Sequence, residues 1–233
     1  MNYFYLVVIL LLFIIVFVPY IGKNKKKEGL TNKKTNIILI GDSMLNNSDY
    51  MMDADGKDTS IAGYIGQRTV DESLQVTLHN YAKNHATISD CYAQMDQISL
   101  EPGANTMIVV SAGGNDIVNQ YRKFGRIDDN FVSSLFQKYS QMVLSINNKT
   151  KSTNCNTSIY LLNLYKPAKN ILSNLYPIID QWNSMIQDFA QNNEFKIIPT
   201  NKIMVLESDF VYNYEPSKTG GQKIADAILS NID

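Results

Sequence analysis

The sequence predicts an α/β domain, a parallel sheet covered by helices on both faces, set behind an apolar N-terminal segment. Two observations carry this. Short β-branched runs alternate with amphipathic stretches along most of the chain. The stretches between the runs are long enough for crossover helices, which make neighbouring strands parallel.

Residues 3–21 form an apolar run with no charged side chain. About 20 residues, each rising about 1.5 Å along a helix, cross a hydrocarbon core, so the run is long enough to span a bilayer. A cleavable signal peptide would want a basic leading region, a shorter apolar core and small residues before the cut. Only Met1 and Asn2 precede the run, and Pro19-Tyr20-Ile21 is a poor cleavage site. A retained transmembrane helix over residues 1–22 is therefore expected, with the lipid bilayer as its partner. Lys23, Lys25, Lys26 and Lys27 follow at once, with Lys33 and Lys34 close behind. Positive flanks tend to stay on the cytoplasmic side, which places the domain of this single-pass membrane protein there. Residues 23–35 are polar, carry Gly29 and lack periodicity, and read as a flexible basic tether.

Residues 36–233 remain for one domain, enough to bury a substantial core. The formal net charge of the 233-residue chain is −1. With no basic stripe beyond the tether, no nucleic-acid partner is expected. Cys91 and Cys155 match no metal-ligand spacing and are read as buried thiols or one disulfide. The sequons at Asn46, Asn148 and Asn156 would matter only in a luminal domain.

Strands are expected at residues 36–40, 75–80, 106–111, 158–163 and 195–198. Helices are expected at 60–71, 89–100, 129–147, 174–192 and 217–232, with Asp129 and Ser217 as N-caps. Open parallel sheets bind ligands beyond the carboxyl ends of their strands, so function is sought in the loops there.

The first strand runs into Gly41-Asp42-Ser43, a sharp turn that presents a serine at the sheet edge. A helix directly behind it would stabilise negative charge near the hydroxyl. The third strand ends in Ser111-Ala-Gly-Gly-Asn115-Asp116, where Asn115 offers an NH2 donor at the same edge. Each motif alone is also an ordinary turn; together, in this chain order, they are specific. The polar loop at 44–59 is a candidate lid, and its Asp53, Asp55 and Asp58 lack the terminal glutamate of a calcium loop.

Ile-Leu-Ile-Gly-Asp-Ser at 38–43 resembles the first block of the SGNH/GDSL hydrolase superfamily. Val-Ser-Ala-Gly-Gly-Asn-Asp at 110–116 resembles the third block, which carries the oxyanion asparagine. Residues 214–225 are similar to the last block, D-x-x-H-P-(S/N)-x-x-G-x-x-x-(I/L)-A. The resemblance spans the whole domain and implies a three-layer α/β/α sandwich with a five-stranded, flavodoxin-like parallel sheet. It also implies cleavage of a small ester or acylated substrate by Ser43, with no metal or other cofactor. The Ser43 and His85 amides and the Asn115 side chain would form the oxyanion hole.

The sequence departs from this pattern at the base. Glu215 stands where the family has histidine, Tyr212 where it has aspartate, and His85 where the second block has glycine. Carboxylate is a weaker base than imidazole by about two pKa units. His85, past the end of the second strand, and Glu215 are the candidate bases, and Asp209 is expected to be an exposed loop residue. An active serine ester hydrolase and a catalytically dead binding or structural module on the membrane are both consistent with these residues. A nucleotide-binding domain is disfavoured, because the first loop lacks a phosphate-cradling run.

Overall fold

The computed structural model describes residues 34–232 except 154, 168 and 169. The expected transmembrane helix and nearly all of the tether lie outside the described residues. Among the described residues, no helix is long and apolar enough to cross a membrane.

Five strands form one parallel sheet: β1 (Thr35–Gly41), β2 (Val76–Asn80), β3 (Asn105–Ser111), β4 (Asn156–Leu162) and β5 (Lys196–Ile198). Their order is β2-β1-β3-β4-β5. All five strands stand where the apolar runs predict them. Every residue of β1 is buried, as its unbroken β-branched run requires of a strand covered on both faces. The register sets Gly41 opposite Ser111, so the ends of β1 and β3 lie side by side.

Among the described residues, six helices of nine residues or more flank the sheet: α1 (Ile61–Asp71), α2 (Ile88–Asp96), α3 (Gly114–Phe124), α4 (Asp129–Lys151), α5 (Tyr176–Asn192) and α6 (Lys218–Leu229), with a single short turn of helix at Thr200–Ile203 besides. α1 packs on α6, while α4 packs on both α2 and α5. Ser60 and Ser217 cap α1 and α6 by accepting from Gly63 and Gly220 N–H. The cap of α4 is Asp128, one residue before the expected Asp129, and its carboxylate accepts from Phe131 N–H at 2.8 Å.

α3 is absent from the sequence-based expectation. Its segment is short and mostly polar, fully burying only Ile117, and its glycine start reads as a turn. The start is fixed by packing. Gly113 has φ +101°, and a Cβ there would stand 2.3 Å from Trp182 Cζ2. That indole belongs to an aromatic cluster between α4 and α5, where Phe136 and Trp182 meet edge to face at 5.2 Å.

A small antiparallel hairpin, β6 (Phe210–Val211) and β7 (Glu215–Pro216), stands outside the main sheet. Asp209, expected to be exposed, is instead fully buried just before it. Its carboxylate accepts from Val205 and Leu206 N–H and pairs with the Lys223 ammonium at 2.7 Å. A local motif gave no sign of this, because the lysine comes from α6. Cys91 is buried and Cys155 half-buried, and both are free thiols.

The 44–59 loop is tied down rather than open. Asn47, fully buried, accepts from Ile61 N–H at 2.8 Å and donates to the Pro216 carbonyl at 3.4 Å. Asp53 accepts from Asp55 and Lys57 N–H, and Asp58 from Ser60 N–H. These carboxylates therefore serve the loop's own backbone.

Candidate active site

The serine turn is built from buried, satisfied polar groups. Gly41 has φ +139°. Gln94, itself buried, clamps the Gly41 peptide from both sides. Its Oε1 accepts from Gly41 N–H at 2.7 Å, and its Nε2 donates to the Gly41 carbonyl at 2.9 Å. Asp42 Oδ1 accepts from the Ser111 hydroxyl at 2.8 Å and from Met44 N–H at 3.1 Å. Leu45 and Asn46 N–H both donate to the Asp42 carbonyl. A tight turn therefore follows β1, and the next helix begins only at Ile61, after the polar loop, as the sequence predicts. Ser43 sits at its tip, 8 % exposed.

Asp42 is thus a brace under Ser43. Burial, outweighing its bonds from Ser111 and Met44 and helped by the charges of Glu215 and Asp116, pushes its carboxyl up to about 6. A folded-state value above the unfolded 3.8 means that the folded chain holds this proton more tightly. The associated stability is present below the unfolded value and is lost as pH rises through about 6. A shift near two units corresponds to roughly 3 kcal/mol. Urea unfolding of wild type should therefore show about that much loss between pH 4 and pH 7 relative to Asp42→Asn. Parallel pH profiles for the two proteins would rule this out.

Asn115 occupies the first turn of α3. One of its two amide hydrogens goes to the Ala86 carbonyl at 3.0 Å, which leaves the other for a ligand. The neighbouring Asp116 accepts from Ile88 N–H at 3.1 Å and so joins the starts of α3 and α2. Burial raises the Asp116 carboxyl above its usual range.

His85 has φ +62° and an exposed side chain. The left-handed backbone at this position explains why a glycine suits it in the resembling family. His85 stands next to Ala86, which receives the Asn115 bond.

Ser43 and Asn115 line one cleft of about 80 Å³. Ile117, Val118, Leu164, Leu172, Leu175 and Ile179 make most of its wall apolar, and Tyr165 and Tyr214 close one side. The Tyr165 hydroxyl donates to the Tyr214 carbonyl at 2.7 Å. Glu215 follows Tyr214 in the chain and is buried on β7 opposite Val211. Its charge is felt by Asp42 and Tyr165, both of which line the cleft.

Sequence reasoning missed the partner of Glu215. The Tyr50 hydroxyl donates to Glu215 Oε2 at 3.1 Å. The Tyr212 ring meets Tyr50 edge to face at 5.6 Å. Burial first, and the Glu215 charge second, push the Tyr50 hydroxyl far above the ordinary tyrosine value, so it remains a donor at any working pH. An aromatic residue in a polar loop was the only sequence signal for it.

No protein-family model matches the sequence, and no curated protein matches it. Solved structures do match. An acetyl xylan esterase superposes with a TM-score of 0.64 at 14% identity, over 85% of this chain and all of that one. An acetylxylan esterase from Geobacillus stearothermophilus gives 0.60 at 17% identity, over 86% of this chain and 96% of that chain. A member of the lipolytic G-D-S-L family from Veillonella parvula gives 0.59 at 14% identity, over 85% and 98%. The chain has the SGNH/GDSL hydrolase fold. Likeness at these identities speaks for the fold, so the chemistry must be argued from the cleft itself. On the SGNH/GDSL blocks, Ser43 and Asn115 retain the family's residue types, whereas Glu215 and Tyr212 do not.

Proposed function

We propose that the chain is a slow serine ester hydrolase. Ser43 Oγ attacks the acyl carbonyl as Glu215 takes the hydroxyl proton, and Asn115 Nδ2 donates to the oxyanion. Collapse of the tetrahedral intermediate expels the alcohol, which recovers the proton, and water then releases the acid from Ser43. The single observation that carries this reading is the shared cleft of Ser43 and Asn115 at the ends of β1 and β3. The mostly apolar wall suits the acyl part of a small ester. Glu215, buried beside Tyr214 of the cleft wall, is taken as the base in preference to the exposed His85, and a carboxylate in that role would make turnover slow. The apolar run at 3–21 and the lysines behind it support a membrane tether with the domain on the cytoplasmic side, which protease protection in sealed vesicles would test.

A second reading, a binding module without turnover, is favoured by one observation: a Glu215 oxygen is already engaged by Tyr50. A fluorophosphonate probe separates the two. Wild type should be labelled and should hydrolyse a short-chain p-nitrophenyl ester, and Ser43→Ala should do neither. If wild type stays unlabelled and hydrolyses no faster than Ser43→Ala, the hydrolase reading fails.

A further inference from the structure

We propose that Tyr50 is a positioning residue, its hydroxyl holding Glu215 for proton transfer from Ser43. This inference rests on the reading of Ser43 as nucleophile and Glu215 as base.

Three observations support it. The Tyr50 hydroxyl engages Glu215 Oε2 alone in the described contacts, which leaves Oε1 as the oxygen to receive a proton. The tyrosine is itself held. The Tyr212 ring packs edge-on against it, and Tyr50 N–H closes a turn on the Asn47 carbonyl at 3.4 Å. The Asn47 side chain then reaches the Pro216 carbonyl, the residue after Glu215, so the turn carrying Tyr50 and the strand carrying Glu215 are fastened together.

The chemistry of the partner also fits. An imidazole base gains a positive charge when it takes a proton, and an adjacent carboxylate stabilises that charge. A carboxylate base becomes neutral instead, and beforehand it is anionic. A second carboxylate beside it would repel it and compete for the proton. A neutral donor that keeps its own proton avoids both effects, and a phenol is such a donor. Glutamate at 215, tyrosine at 212 and tyrosine at 50 thus form one consistent set: the acid replaces the imidazole, and aromatic residues replace its anionic partner.

A double-mutant cycle on the full chain tests this with a p-nitrophenyl ester. Tyr50→Phe keeps the ring against Tyr212 and removes only the hydroxyl. It should lower kcat about tenfold, with KM within about twofold and only a small drop in the urea midpoint from the lost bond to the buried carboxylate. Glu215→Gln should lower kcat further, and adding Tyr50→Phe to it should change nothing more. Effects that multiply independently, a loss confined to KM, or faster turnover in Tyr50→Phe would each overturn the proposal; the last would mark the phenol as a latch. Failure of wild type to label with fluorophosphonate removes this proposal together with the hydrolase reading. Labelling with an additive cycle removes this proposal alone.

Discussion

Gly41→Ala is expected to lower stability by more than about 4 kcal/mol, the range reserved for single changes that break a core contact. A Cβ at Gly41 would lie 1.9 Å from the Ser111 carbonyl oxygen and 2.4 Å from Ser111 Oγ. The first of these is backbone, held in register by β1–β3 pairing, so it cannot swing aside as a flexible side chain would. The φ of +139° adds strain for any L side chain. Retreat of the turn itself is blocked, because Gln94 grips the Gly41 peptide from both faces and Lys83 N–H donates to the same carbonyl at 2.9 Å. Urea unfolding followed by circular dichroism measures the loss. A decrease below about 1 kcal/mol would mean that the β1 and β3 ends can separate.

Asn115→Ala should reduce kcat by about 10² to 10³, the usual effect of deleting one oxyanion donor. The variant also strips the Ala86 carbonyl of its bond, at a stability cost of about 1 kcal/mol or slightly more. The two consequences are separable, since one is read in turnover and the other in unfolding. A fall in kcat smaller than tenfold, with the stability loss intact, would make Asn115 a brace for Ala86 and no more.

The sheet was legible in the sequence because burial on both faces leaves a run that only a central strand explains, as in residues 37–40, which are wholly buried. The turns at Ser43 and Asn115 were legible because they follow such strands directly. α3 was hidden, since a short, mostly polar helix that opens on two glycines looks like a continuation of the turn before it. Asp209 and Tyr50 were hidden for another reason. Their partners, Lys223 and Glu215, lie 14 and 165 residues away, and no local pattern encodes a contact of that range. The candidate base at 215 could be located from the last block, but its hydrogen-bond partner could not.

The two halves of the candidate machinery hang from supports of unequal strength. Ser43 follows directly on β1, a strand paired on both sides, whereas Glu215 sits on a two-residue ladder outside the main sheet. Changes at 212 and 215 therefore leave the five-stranded sheet untouched, while changes at 41 do not. In such an arrangement the scaffold and the reaction can drift apart over generations. A lineage can exchange its proton acceptor and still be recognised by its shape.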